Sequence, residues 1–107
     1  MALTRDSSLT TVERVKRDPN FAKALLNEAI TVFLNEEPDT ARLVLRDLVN
    51  GTVGFERLAT ATGKPSKSLH RMLSIRGNPS MDNLSNIIGV LRKQLGVKLA
   101  SRAVKTA

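Results

Sequence analysis

The sequence predicts an all-α fold, a compact bundle of five or six helices that contains a helix-turn-helix. Apolar residues recur at spacings of three and four along most of the 107 residues, whereas strand-like alternation is rare. Helix-boundary signals, such as Asp18 followed by Pro19, separate the apolar stripes. The length suits one domain with one core, and residues 97–100 are the only candidate for a short strand.

Residues 1–51 are predicted to form three helices, at residues 6–17, 19–35 and 38–50. Asp18 is the expected N-cap of the second helix, whose apolar stripe extends to Phe33. Gly51 is expected to take the left-handed conformation just past the end of the third helix.

Residues 55–73, with the sequence FERLATATGKPSKSLHRML, predict two short helices joined by a tight turn at Gly63. The second of these helices has leucines on one side and small polar and basic residues on the other. A polar loop follows at residues 74–79. Ser80 then caps a last helix, whose apolar stripe begins at Met81 and which ends at Gly96.

The net charge of +7 is unevenly distributed along the chain. Residues 1–51 contain seven Lys and Arg against eight Asp and Glu, a net charge of −1, whereas residues 52–107 contain ten against two, a net charge of +8. This asymmetry predicts a polyanionic partner for the second half, with nucleic acid favoured. A membrane surface, or a solvated basic face without a partner, is the alternative.

Several classes of function are disfavoured by the composition. Without cysteine there is no disulfide, thiolate zinc site or cysteine nucleophile, and a single histidine, His70, excludes a metal site built on histidines. No paired carboxylates, Gly-rich phosphate loop or Ser/His/Asp grouping is recognisable, so we expect no enzyme and no cofactor. The three Phe are expected to face inward, which argues against an RNA-stacking module.

The sequence also predicts a cytoplasmic protein. No run approaches the roughly 20 apolar residues of a membrane span. The N-terminal residues MALTRDSSL have no apolar core before a small-residue cleavage site, so no signal peptide is expected.

Residues 53–96 resemble the Cro/C1-type (Xre-like) helix-turn-helix family. The resemblance depends on an ordered set of residues: Leu58, Ala59, Thr62, Gly63, Ser66, Leu69, Arg71, Leu73, Asn78, Pro79, Ser80, Leu84, Ile87, Leu91 and Gly96. One departure is Lys64, where many members of the family have an apolar residue.

Three stretches resemble the addiction-module antidote proteins of the HigA type: AKALLNEA at 22–29, TARLVLRDLV at 40–49 and GKPSKSLHRMLS at 63–74. This resemblance implies the antitoxin of a type II toxin–antitoxin system, which binds a RelE-like toxin and represses the operon that they share. A stand-alone transcriptional regulator of the same fold, or a protein-interaction adaptor with weak DNA binding, is the alternative.

The family geometry implies that the second helix enters the major groove of double-stranded operator DNA with its N-terminal end nearest the bases. Ser66, Lys67 and Arg71 are then the candidates for base contacts. The remaining DNA-contact candidates, mostly for phosphate, are Arg57, Lys64, Ser68, His70, Arg76 and Asn78. For each residue the alternative is a solvated surface position.

A single helix-turn-helix contacts few base pairs, so a homodimer on two half-sites is expected. Leu91, Leu95 and residues 97–99 are the candidate dimer surface, with a place in the core as the alternative. We assign DNA binding to residues 52–107. Residues 1–51 are expected to complete the core of the same domain, and toxin docking through the first two helices is a further hypothesis.

Overall fold

The computed structural model describes residues 5–107, with side chains from Ser7 onward. Residues 1–4, on which the signal-peptide expectation partly depends, lie outside the described residues. The described chain is all-helical and has no strand. Its helices are α1 (Arg5–Arg17), α2 (Pro19–Leu34), α3 (Pro38–Gly51), α4 (Gly54–Thr62), α5 (Ser66–Met72) and α6 (Met81–Leu95). Among them, no helix combines the length and apolar character needed to cross a membrane.

The predicted caps are present at two helix starts and one helix end. The Asp18 carboxylate accepts a hydrogen bond from the backbone N–H of Phe21 (3.1 Å), and the Ser80 hydroxyl accepts one from Asn83 (3.1 Å). Gly96 takes the left-handed conformation at the end of α6, with φ of 67°. Each cap satisfies backbone groups that the helix itself leaves unpaired.

Helix α3 lies at the centre of the fold. It packs against α1, α2 and α4, and α4 in turn packs against α5 and α6. The side chains of Leu45, Leu48 and Val49 on α3 are buried. One cluster of buried residues extends from Val15 of α1 to Leu91 of α6, so both halves of the sequence contribute to the same core.

The expectation for Gly51 is wrong. Gly51 is the last residue of α3 and is buried, and the left-handed conformation is found at Gly54 instead, with φ of 77°. A Cβ atom on Gly51 would lie 2.6 Å from Cγ1 of Val15. Glycine is therefore required here for the close approach of α1 to α3.

The candidate strand at residues 97–100 does not form. The chain after Gly96 is irregular in the described structure, although Val97 and Leu99 pack against the core and alternate with exposed Lys98. The backbone N–H of Val97 donates to the carbonyl of Arg92 (3.1 Å). The segment is thus tied to the end of α6, and no neighbouring strand in the described chain is available to pair with it.

Helical spacing predicts that Leu9, Phe33 and Met81 belong to the apolar stripes of α1, α2 and α6, but all three side chains are exposed. Leu9 is 56% exposed, Phe33 is 37% exposed and Met81 is 83% exposed. Phe33 lies in the last turn of α2 and Met81 begins α6, and at such ends helical spacing can continue beyond the packing partner. The inward placement expected for all three Phe is therefore wrong for Phe33.

One carboxylate is enclosed in the interior. Asp47 on α3 is 1% exposed, and its Oδ2 atom has no hydrogen-bond partner among the described residues. Burial raises the pKa of the Asp47 carboxyl above its usual value of 3.8, opposed by the charge of Arg46 and by a hydrogen bond from Ser8 of α1. The carboxylate thus joins α1 to α3 through Ser8, while its Oδ2 atom stays without a hydrogen bond.

Asp47 makes the stability depend on pH. The folded state holds the Asp47 proton more tightly than the unfolded state, so its contribution to the free energy of unfolding is complete below pH 3.8 and falls as pH rises through the raised pKa. We expect Asp47→Asn to remove this fall and to be more stable than the wild type above that range. Urea denaturation at several pH values measures the free energy of unfolding of both proteins. If that free energy changed with pH in parallel for the wild type and Asp47→Asn, the expectation would be contradicted.

Two glycine-to-alanine substitutions should have opposite effects. Gly51→Ala places a Cβ against Val15 and should lower the free energy of unfolding by about 1–3 kcal/mol. Gly89→Ala, within α6, adds a Cβ that meets nothing within 4 Å and should raise it by about 0.5–1 kcal/mol. Denaturant unfolding measures both, and an unchanged or raised free energy of unfolding in Gly51→Ala would refute the packing argument at Gly51.

Candidate nucleic-acid interface

Helices α4 and α5 form the predicted helix-turn-helix. Gly63 ends α4 with φ of 68° and ψ of 22°, and its N–H donates to the carbonyl of Ala59 (2.9 Å). A Cβ on Gly63 would meet nothing within 4 Å. The requirement for glycine is therefore conformational, because positive φ is unfavourable for residues with a side chain.

The buried side of α5 fixes which residues face outward. Leu69 and Leu73 are buried in the core cluster, and Met72 packs against it. Lys67 and Arg71 are exposed. Because they are four residues apart on a helix, they lie one above the other on the same face. The segment is thus helical, and both cations are free of the interior, as the sequence predicts.

The cations of α4, α5 and the loop that follows are exposed. The ion pairs among the side chains of residues 7–107 are Arg14–Asp18 and Arg42–Asp39, so these cations have no carboxylate partner there. Between residues 52 and 78 the only acidic residue is Glu56. The helix-turn-helix surface therefore carries a strongly positive local charge, contributed by Arg57, Lys64, Lys67, Arg71 and Arg76.

The polar candidates differ in accessibility. Asn78 is exposed in the loop after α5, whereas Ser66 and Ser68 are half-buried. Ser66 is the first residue of α5, and Pro65 precedes it with φ of −62°. The two serines are therefore less accessible than Lys67 and Arg71.

His70 has a packing role that sequence reasoning missed. Its ring stacks on the ring of Phe55, with centroids 3.7 Å apart and an angle of 17° between the ring planes. Phe55 lies on α4 and is buried. The stack joins the outer side of α5 to α4. Phe55 and His70 are 15 positions apart in the sequence and lie on different helices, so no helical spacing would predict their contact.

Two further residues that the sequence did not single out shape the loop after α5. The Arg42 guanidinium on α3 donates to the carbonyls of Ser74 (3.0 Å) and Ile75 (2.8 Å). Gly77 is buried, and a Cβ there would collide with the carbonyl oxygens of Arg71 and Met72. A glycine between Arg76 and Asn78 was a signal available in the sequence, whereas Arg42 is more than 30 residues away and gave none.

No group of three or more His, Asp or Glu side chains within the described part of the chain could hold a metal ion. No protein-family model, curated protein or solved structure matches this chain. The geometry and charge of the helix-turn-helix are therefore the basis for assigning a function.

The stack on Phe55 predicts a stability role for His70. His70→Ala should lower the free energy of unfolding by about 0.5–1.5 kcal/mol, because the aromatic pair is lost and the Phe55 ring is uncovered. Lys67→Ala, on the same helix but without such a contact, should change it by less than about 0.5 kcal/mol. Thermal unfolding compares the two variants, and equal effects would show that the stack contributes nothing.

Proposed function

We propose that this protein is a sequence-specific DNA-binding transcriptional regulator that reads double-stranded DNA with the outward face of α5. The observation that carries the proposal is the exposure of Lys67 and Arg71 on one face of a helix whose opposite face is buried. A helix held in this way can enter the major groove, where side chains reach base edges.

The two cations on α5 suit different parts of the DNA surface. Arg71 can donate two hydrogen bonds to O6 and N7 of a guanine, which only this base offers in that arrangement. Lys67, one turn nearer the N-terminal end of α5, can reach a base edge or a phosphate. Arg57, Lys64 and Arg76 come from the flanking segments and suit phosphate contacts, which position the protein without reading sequence.

Mutations should separate base reading from phosphate contact. Arg71→Ala should weaken operator binding by about 1–3 kcal/mol and reduce discrimination against random DNA. Lys64→Ala should weaken both DNAs alike and reduce the slope of log K against log salt by about one unit. Titrations at several salt concentrations measure these effects. Equal losses for Arg71→Ala on operator and random DNA would remove Arg71 from the base-reading set.

Footprinting on the DNA upstream of the gene tests the function itself. A regulator of its own operon should protect a defined site there at protein concentrations that leave unrelated DNA unprotected. Protection without sequence preference would instead favour a protein-interaction adaptor that binds DNA weakly.

The finer proposal is an antitoxin that represses the operon it shares with a toxin. It is supported by the resemblance of the sequence to the HigA-type antidote proteins and by the charge difference between the halves. Val15, Ala22, Leu26 and Ala29 of α1 and α2 are buried and complete the core. The apolar side chains of Leu9, Phe33 and Leu34 are exposed, and they are the candidates for contact with the toxin. The antitoxin proposal is tested by asking whether a small RelE-like protein is encoded beside the gene and whether that protein copurifies with this chain.

A homodimer on two half-sites is part of the same proposal. Leu91 is fully buried in the core, which removes it from the candidate dimer surface. Leu95, Val97 and Leu99 are half-buried and stay as candidates. Sedimentation velocity with and without operator DNA measures the oligomeric state, and one protomer per operator would exclude the dimer.

A further inference from the structure

Arg42 is the basic residue of the first half that reaches across to the helix-turn-helix. It lies in the first turns of α3, and its side chain is 13% exposed. Its Nε donates to the carbonyl of Ser74, and its Nη2 donates to the carbonyl of Ile75 and to the Asp39 carboxylate (2.6 Å). The planar Arg42 guanidinium thus holds two consecutive carbonyl groups of a loop that lies 32 and 33 residues further along the chain. We call these two hydrogen bonds the clamp.

The same loop is tied to α5 at its other side. The carbonyl of Ser74 also accepts from the N–H of Gly77 (3.0 Å), and the Ser74 hydroxyl donates to the carbonyl of Arg71 (2.8 Å). Gly77 lies so close to the end of α5 that a Cβ would collide with the carbonyl of Met72. The loop is therefore held between α3 and the last turn of α5.

Arg76 and Asn78 project from this held segment, and both are exposed. A side chain on an ordered backbone loses less conformational freedom on binding than one on a loose loop. Fixing the carbonyls of Ser74 and Ile75 therefore places Arg76 in advance of any contact with a phosphate.

We propose that Arg42 is a positioning residue that fixes the loop after α5 so that Arg76 meets the DNA backbone; the role at DNA rests on the proposed DNA-binding function. Arg42 itself acts through the two carbonyls and does not touch DNA. A purely structural role would lower stability without any selective effect on the loop or on the contact made by Arg76.

The first measurement uses the free protein. Amide hydrogen exchange of Gly77, whose N–H bonds to the Ser74 carbonyl, should accelerate at least about tenfold in Arg42→Ala. Exchange of Leu69 in α5 and of Leu84 in α6 should stay within about twofold. Unchanged exchange at Gly77, or equal acceleration at all three amides, would overturn the proposed clamp.

The second measurement is a double-mutant cycle on operator DNA. Arg42→Ala and Arg76→Ala should each reduce affinity about three- to tenfold and reduce the salt slope by about one unit. Combined, they should lose no more than Arg76→Ala alone, because Arg42 acts through Arg76. Fully additive losses would overturn the positioning role.

Three further variants control for charge and folding. Lys23→Ala on α2 removes one exposed positive charge and should leave the salt slope and the Gly77 exchange unchanged. Asp39→Ala removes the ion pair with Arg42 but keeps the two hydrogen bonds to the carbonyls. If it accelerated amide exchange at Gly77 as much as Arg42→Ala does, the ion pair rather than the carbonyl bonds would fix the loop, and the clamp would be overturned. If Arg42→Ala does not fold, Arg42→Lys replaces it, because its compact ammonium keeps the charge and loses the planar fork.

With Arg42→Lys, Gly77 exchange should still accelerate severalfold, and wild-type exchange would overturn the clamp. A wild-type protein that does not bind operator DNA at any salt concentration would refute the proposed function and, with it, the role of Arg42 at DNA. The Gly77 exchange would in that case still decide whether Arg42 fixes the loop.

Discussion

The burial of Leu69 and Leu73 is the constraint on which the candidate interface depends. Helix α5 has only seven residues, too few to be stable by itself in water. Its position is therefore set by the two leucines in the core and by the turn at Gly63, whose positive φ brings α5 back onto α4. With one side fixed in this way, Lys67 and Arg71 have no place except the outer surface.

The two halves of the sequence contribute different physical properties to one fold. The nearly neutral first half supplies α3, whose buried side chains form the centre of the core, and the second half supplies the exposed positive charge. Arg42 joins the two, because it carries a rigid connection from α3 to the loop that presents Arg76. A surface held from the core outward suits recognition of a rigid partner such as duplex DNA, because little of it must be ordered on binding.

Most of the helices could be predicted from the sequence, because caps and turns obey local rules. Asp18, Ser80 and Gly63 each act on backbone groups within a few residues, and the structure confirms all three. The errors arise where distant contacts decide. Gly51 is required by Val15 on another helix, and a strand at residues 97–100 would have needed a partner strand. The hydrogen bonds of Arg42 to the loop and the burial of the Asp47 carboxylate likewise depend on neighbours far away in sequence.

We propose that DNA meets the protein at α5, the turn before it and the loop after it. Titration of the ¹⁵N-labelled protein with a duplex from its own promoter locates the contact surface residue by residue. We expect the largest changes in amide chemical shift within residues 64–78, with α1 and α2 nearly unchanged. Changes centred on α1 and α2, or none within residues 64–78 under conditions where the duplex is bound, would contradict it.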